Sequence, residues 1–159
     1  MRSDDDIEQA ITRYGDAVLR ACRAVLPRTH EAEDAFQDVF LRYASRDEPF
    51  NGEGHRKAWL LRVAINLSRD RLRRASERDV ALDAISDPSI PPEDERIAQR
   101  MAMQDALAEL SVDQRTAILL SVVEGYPARD VARFMGKSEN TVYSLIARGK
   151  KKLKEVLVR

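Results

Sequence analysis

The sequence predicts an all-α protein made of two small helical domains joined by a flexible linker. Apolar residues recur three or four apart along most of its 159 residues, the spacing of amphipathic helices. A proline-rich, acidic stretch without periodicity interrupts that pattern just past the midpoint. No strand-like alternation, hairpin turn signal or internal repeat is found. The expected boundaries are a first domain over residues 1–75, a linker over 76–93 and a second domain over 94–159.

Ile7, Ala10, Ile11, Tyr14, Val18, Ala21, Cys22 and Val25 define a first helix that ends near Pro27. Thr29 is placed to cap a second helix with an acidic opening turn (Glu31, Glu33, Asp34) and a buried stripe of Ala32, Ala35, Phe36, Val39, Phe40 and Tyr43, stopping by Pro49. The turn formers of SRDEPFNGEGH read as a loop of about ten residues, long enough for a compact helical domain to suggest function. A third helix, from about Arg56 to Arg74, carries Trp59, Leu60, Val63, Ala64, Leu67 and Leu72 on its apolar side. The stretch from about Ala75 to Pro92 reads as linker and, unstructured, would span roughly 20–25 Å.

Beyond it, EDERIAQRMAMQDALAEL suits a helix burying Ile97, Met101, Leu107 and Leu110. A further helix from about Asp113 to Val123 is stopped by Gly125; a short one begins with Pro127 at its first position; and a long basic helix runs from Glu139 to about Leu157 behind a Ser138 cap.

Composition sets limits on function. With 43% hydrophobic, 34% charged and 6% aromatic residues the chain is too apolar to be disordered. No apolar run approaches the ~20 residues of a membrane span, and the acidic start MRSDDDIEQ is unlike a signal peptide, so a cytoplasmic protein is expected. The single Cys22 reads as core, and His30 and His55 have no metal spacing; no metal, cofactor or catalytic residue is expected. Net charge is zero but unevenly spread: 6 basic and 12 acidic residues over 4–53, 7 against 1 over 54–74, 3 against 9 over 75–110, and 10 against 5 over 111–159. Each basic block lies at the end of an apolar helical pattern, where a nucleic-acid surface is more plausible than a merely solvated face.

The most specific motif is YPARDVARFMGKSENTVYSLIARGKKKLKEVL, residues 126–157, a helix-turn-helix. Small Ala132 permits close helix approach, Val131 and Phe134 face the core, Gly136 makes the turn, and Val142 with Leu145 or Ile146 anchors the second helix. Glu139, Asn140, Tyr143, Ser144 and Arg148 then face outward, where base edges would lie, and Lys150, Lys151, Lys152 and Lys154 suit phosphates. Less specific is the loop from Arg46 to His55 followed by a basic helix bearing Asn66, Asp70 and several arginines. That combination suits single-stranded nucleic acid with an unstacked base; an ordinary surface on a three-helix domain is the plainer reading.

Taken in order, AEDAFQDVFLRY, an aromatic loop residue, AWLLRVAINLSRDRLRR, an acidic linker and ALAELSVDQRTAILLSVVEGYPARDVARFMGKSENTVYSLIARGKKKL resemble regions two and four of bacterial sigma factors, and more narrowly the extracytoplasmic-function group, which has only these two domains. The resemblance implies a non-enzymatic subunit that binds core RNA polymerase and directs it to promoters, melting DNA without ATP hydrolysis. Core binding, on the clamp helices of the largest subunit, would fall to Glu33, Asp34, Gln37, Asp38, Phe40 and Leu41, although Phe40 fits the core equally well. The minus-ten element would meet Phe50, Asn51, Gly52 and Glu53 in a loop extending to Lys57, together with Asn66 and Asp70. Arg69, Arg71, Arg73 and Arg74 would follow the backbone.

The minus-thirty-five duplex would be read by Lys137, Ser138, Glu139, Asn140, Thr141, Tyr143, Ser144 and Arg148, with Lys150 and Lys151 on phosphates. A dedicated anti-sigma factor is a further implied partner. Tyr143, Leu145 and Gly149 depart from the family pattern, which often has basic residues at the first two and Ala at the third. The minus-thirty-five sequence therefore does not carry over, and Gly149, costing about 1 kcal/mol against Ala, marks a bend or the helix end. The alternative is a sigma-like decoy that sequesters an anti-sigma factor, against which the retained basic helices argue. A ligand-sensing helix-turn-helix regulator has no visible small-molecule site to support it.

Overall fold

The computed structural model describes residues 1–77 and 94–158. Every regular element among them is helical, and the chain divides into two compact units, Met1–Leu82 and Asp83–Arg159. Most of the expected linker, residues 78–93, lies outside the described residues; its first part, Ala75–Glu77, continues a helix.

In the first unit α1 (Asp4–Val25), α2 (Thr29–Ser45) and α3 (Glu53–Glu77) pack pairwise. α1 starts three residues before Ile7 because the Ser3 side chain accepts the Asp6 N–H at 3.2 Å and three aspartates occupy the positive first turn. Thr29 is the first helical residue of α2 rather than its cap; Arg28 precedes it and makes no side-chain capping bond. The loop is shorter than expected, residues 46–52, because Gly52 (φ +96°) turns the chain and α3 begins at Glu53.

α3 buries Leu60, Leu61, Ala64, Ile65, Leu67 and Ser68, whereas Trp59, Val63 and Leu72 are half-buried. Its core-facing arc is thus rotated from the expected stripe, to meet both α1 and α2. Leu60, Leu61 and Ile65 are fully buried, each contributing about 2 kcal/mol of hydrophobic stabilisation. Cys22 is fully buried as expected, and burial pushes its thiol pKa up.

The second unit comprises α4 (Glu95–Ala108), α5 (Val112–Ile118), α6 (Ala128–Met135) and α7 (Glu139–Leu157). Of the residues expected to be buried around α4, only Leu110, just beyond its end, is so. Ile97 is 48% exposed, Met101 and Leu107 are half-buried, and Ala106 is the residue α4 itself buries. Arg115 reaches back from α5 to the carbonyls of Leu107 (3.2 Å) and Leu110 (3.4 Å), tying α5 to the end of α4. Ser111 and Gln114 form a reciprocal capping box at the start of α5.

The expected helix to Val123 ends in a wider turn, Leu119–Val123, where the Glu124 N–H reaches the Leu119 carbonyl at 3.0 Å, five residues back. Pro127 stands at the N-cap of α6, one position before the expected place. Gly136 closes α6 in the left-handed conformation (φ 65°, ψ 36°), and Ser138 caps α7 by accepting the Thr141 N–H at 3.2 Å.

Candidate nucleic-acid interfaces

The loop of the first unit is built on aromatic rings. Phe50, half-buried, lies parallel to Tyr43 with centroids 6.0 Å apart, meets Trp59 at 5.6 Å and presents its ring to His55 at 5.2 Å. The Arg46 guanidinium sits 4.5 Å from the Phe50 centroid and 5.2 Å from that of Trp59. Asn51 is exposed and its backbone N–H donates to His55 Nδ1 at 3.0 Å.

Glu53 receives the Tyr14 hydroxyl and pairs with Arg13 (3.4 Å) and Arg56 (3.6 Å), so this expected site residue also ties the loop to α1. The Tyr14 hydrogen bond, aided by the two arginines, holds the Glu53 carboxyl below its ordinary value. Beneath the rings Asp6 accepts from the Tyr43 hydroxyl (2.5 Å) and Arg2 (2.9 Å), with Arg56 at 3.8 Å. The Tyr43 hydrogen bond, outweighing partial burial, keeps the Asp6 carboxyl below its ordinary value. Burial, and then that same bond, push Tyr43 up to about 12.

Along α3, Arg62, Asn66, Asp70 and Arg73 recur three or four apart and are all exposed, with Arg74 exposed beside them. Asn66 follows Trp59 by two turns, about 10 Å along the axis, so the aromatic loop and the polar face form one continuous strip. Arg69 is half-buried, and Arg73 stands 3.4 Å from Asp70. Arg71, expected on the DNA backbone, instead pairs with Asp38 across α2 and α3. On α2, Glu33, Asp34, Gln37 and Leu41 form an exposed face, Leu41 at 65% exposure. Phe40 is only 6% exposed and packs against Phe36 (5.0 Å) and Tyr43 (6.4 Å), which places it in the core rather than on that face.

In the second unit Glu139, Asn140, Thr141, Tyr143, Ser144 and Arg148 are all exposed on the first turns of α7, while Val142 is fully buried and Leu145 and Ile146 are half-buried. Lys150, Lys151, Lys152 and Lys154 are exposed farther along. Lys137 is half-buried and pairs with Asp113 at 3.2 Å. Ser138 is engaged in capping, its hydroxyl 2.9 Å from that of Thr141. Gly149 is not a helix end, since α7 runs on to Leu157. It is buried within α7 against α5, where a Cβ would come 2.5 Å from Ile118 Cδ1 and would require that side chain to shift.

Family models for sigma-70 region 2 and sigma-70 region 4 match residues 10–78 and 100–153. The ECF RNA polymerase sigma factor SigM of Mycobacterium tuberculosis is 32% identical over 158 residues, covering 94% of this chain and 76% of that protein. The chain belongs to the extracytoplasmic-function group of the sigma-70 family. CarQ of Myxococcus xanthus, an RNA polymerase sigma factor, is likewise 32% identical, over 98% of this chain and 91% of its own. Among solved structures, the sigma factor RpoE of Bartonella quintana, in complex with the anti-sigma factor NepR, superposes with a TM-score of 0.78 at 28% identity over 96% of both chains.

Sigma factors are non-enzymatic initiation factors that direct transcription to promoters. In this sigma factor the loop and the α3 strip belong to region two, and the helix-turn-helix of α6 and α7 to region four. Among the described residues no group of three or more His, Cys, Asp or Glu side chains is arranged to hold a metal, and no helix is long and apolar enough to cross a membrane. The sequence reading missed Arg2, Asp6, Tyr43 and Arg56 as parts of the loop's support. The signal in the sequence that could place Asp6 in the fold is Ser3, which the structure shows capping α1.

Proposed function

We propose that this sigma factor binds core RNA polymerase through the exposed α2 face of Glu33, Asp34, Gln37 and Leu41, opens the minus-ten element with its first unit and reads the minus-thirty-five duplex with α7. The observation that carries this reading is the strip from Phe50 and Trp59 to Asn66 and Asp70. Aromatic rings beside exposed hydrogen-bonding groups on a basic helix suit a base turned out of the stack, with Arg73 and Arg74 near its phosphates. Asn140, Tyr143, Ser144 and Arg148 on the outward side of α7 suit major-groove edges, and the four lysines that follow suit phosphates. It acts in the cytoplasm without a cofactor, as a binding subunit. The RpoE complex supports a dedicated anti-sigma factor as its regulator.

The test is transcription in vitro with bacterial core polymerase on a genomic library, mapping start sites with and without the protein. New starts sharing two upstream elements are expected. Asn66→Ala is expected to lower promoter opening by about tenfold, the loss of one or two hydrogen bonds, while duplex binding is unchanged. Arg148→Ala is expected to weaken minus-thirty-five binding by a similar factor. Binding to core with no new starts would favour the decoy that sequesters an anti-sigma factor.

A further inference from the structure

We propose that the segment leading into α1 sets the conformation of the 46–52 loop, with Arg2 as a positioning residue for the minus-ten contact; this rests on the promoter reading above. Arg2 joins parts of the first unit that the backbone leaves separate. Its N–H donates to the Ala44 carbonyl at 2.9 Å, fixing the segment to the last turn of α2. The guanidinium then divides its donors: Nη2 to the Glu48 carbonyl inside the loop at 2.7 Å, and Nη1 to Asp6 at 2.9 Å. Its central carbon lies 4.6 Å from the Tyr43 centroid and 4.8 Å from that of Phe50.

Asp6 extends the connection to the far side of the loop. It takes the Tyr43 hydroxyl from α2 and faces, at 3.8 Å, the guanidinium of Arg56 in the first turn of α3. One arginine and one carboxylate thus reach the end of α2, the loop's middle and the start of α3.

These contacts are sheltered, as the Arg2 side chain is 13% exposed and Arg56 10%. A shielded, forked cation holds geometry better than a solvated one. The loop's seven residues include Pro49 and Gly52, and Phe50 is kept in place by Arg2 on one side and Arg46 and Trp59 on others. A loop that captures a base gains from being ordered beforehand, since ordering it on contact would subtract from binding. Arg2 meets the strip only at Phe50, 4.8 Å from its centroid, and is itself mostly sheltered, so its effect would run through the loop.

Trp59, the single tryptophan, sits against Phe50 and reports the loop directly. In the full-length chain Arg2→Ala is expected to raise acrylamide quenching of Trp59 about twofold. Promoter opening, read by permanganate reactivity of the minus-ten strand on a start site from the genomic library, is expected to fall about tenfold. Core affinity and minus-thirty-five duplex binding are expected to stay unchanged. Should Arg2→Ala lower the thermal midpoint of the first unit, Arg2→Lys, which keeps a cation over the rings and loses the fork, carries the same readouts.

Phe50→Ala and Asn66→Ala are run alongside. If neither lowers opening, the promoter reading fails. If both do and Arg2→Ala leaves Trp59 quenching or opening at the wild-type level, the positioning role alone is overturned.

Discussion

The two units hold their candidate DNA surfaces by opposite means. In the first, a loop is kept in shape by side chains from the three helices (Asp6, Tyr43, Arg56 and Trp59), from the segment before α1 (Arg2) and from the loop itself (Arg46), with charges and rings at 2.5 to 6.0 Å. In the second, a left-handed turn at Gly136 sets the helix-turn-helix, and α7 packs on α5 at Gly149, where a methyl group would have to displace the Ile118 side chain. A surface held by charged side chains answers to pH and to single polar substitutions. One held by close side-chain packing and a turn answers to volume and backbone conformation.

The largest expected effect follows from volume. Gly149→Val is expected to cost about 3 kcal/mol, since its added carbons meet Ile118, itself only 7% exposed. The loss would appear as faster amide exchange in α5 and α7. Ile118→Val, which removes the methyl at 2.5 Å, should restore part of it, giving a favourable coupling of about 1 kcal/mol in a double-mutant cycle. Additivity of the two substitutions would show that the contact is not what demands glycine.

Next in size, Gly136→Ala is expected to cost about 1 kcal/mol, because a Cβ disfavours φ +65° even though nothing lies within 4 Å to clash with it. Chemical denaturation measures this. A value near that of Gly149→Val would erase the distinction between a strained turn and a crowded contact.

The smallest effect concerns the first unit and pH. Asp6 has a native pKa below its ordinary 3.8, so its stabilising contribution is complete above that value and is lost as pH falls through the lower native pKa. Tyr43 is raised from 10.0 to about 12; its contribution is complete below pH 10 and is lost as pH rises toward 12. Tyr14, raised mainly by burial, acts in the same alkaline direction. Urea midpoints followed by Trp59 fluorescence should therefore decline at both extremes, and the double substitution of Asp6→Asn with Tyr43→Phe should flatten both limbs. Unchanged limbs would mean that other groups set them.

What was legible in the sequence was whatever is encoded locally. The Ser138 cap, the Gly136 turn and the outward side of α7 follow from residues within one or two turns of one another. Their positions agree with expectation. The expected stripe of α3 lacks Leu61 and Ile65, because a helix covered by two neighbours buries a wider arc than a simple stripe suggests. In the sequence Gly149 suggests a bend or the helix end, because its neighbour in the fold, Ile118, is remote. Arg56 reads as part of a basic helix, yet it is buried against Tyr14 and Asp6 by contacts that no local pattern encodes. The widened turn at Leu119–Val123 has no composition of its own: LLSVV would suit an ordinary helix equally.

Three of the cations that a simple count assigns to DNA already face a carboxylate of this chain: Arg71 with Asp38, Arg73 with Asp70, and Lys137 with Asp113. A cation that leaves a carboxylate for a phosphate exposes one anion as it covers another, so the ions displaced from DNA are partly recaptured by the protein. Each phosphate neutralised outright contributes about 0.9 to the logarithmic salt slope of duplex binding, and a prepaired cation contributes less. On the proposed reading, the slope of the second unit would come chiefly from the exposed lysines of α7. Basic content and charge available to DNA are separate quantities in this protein, and ionic strength acts on the second.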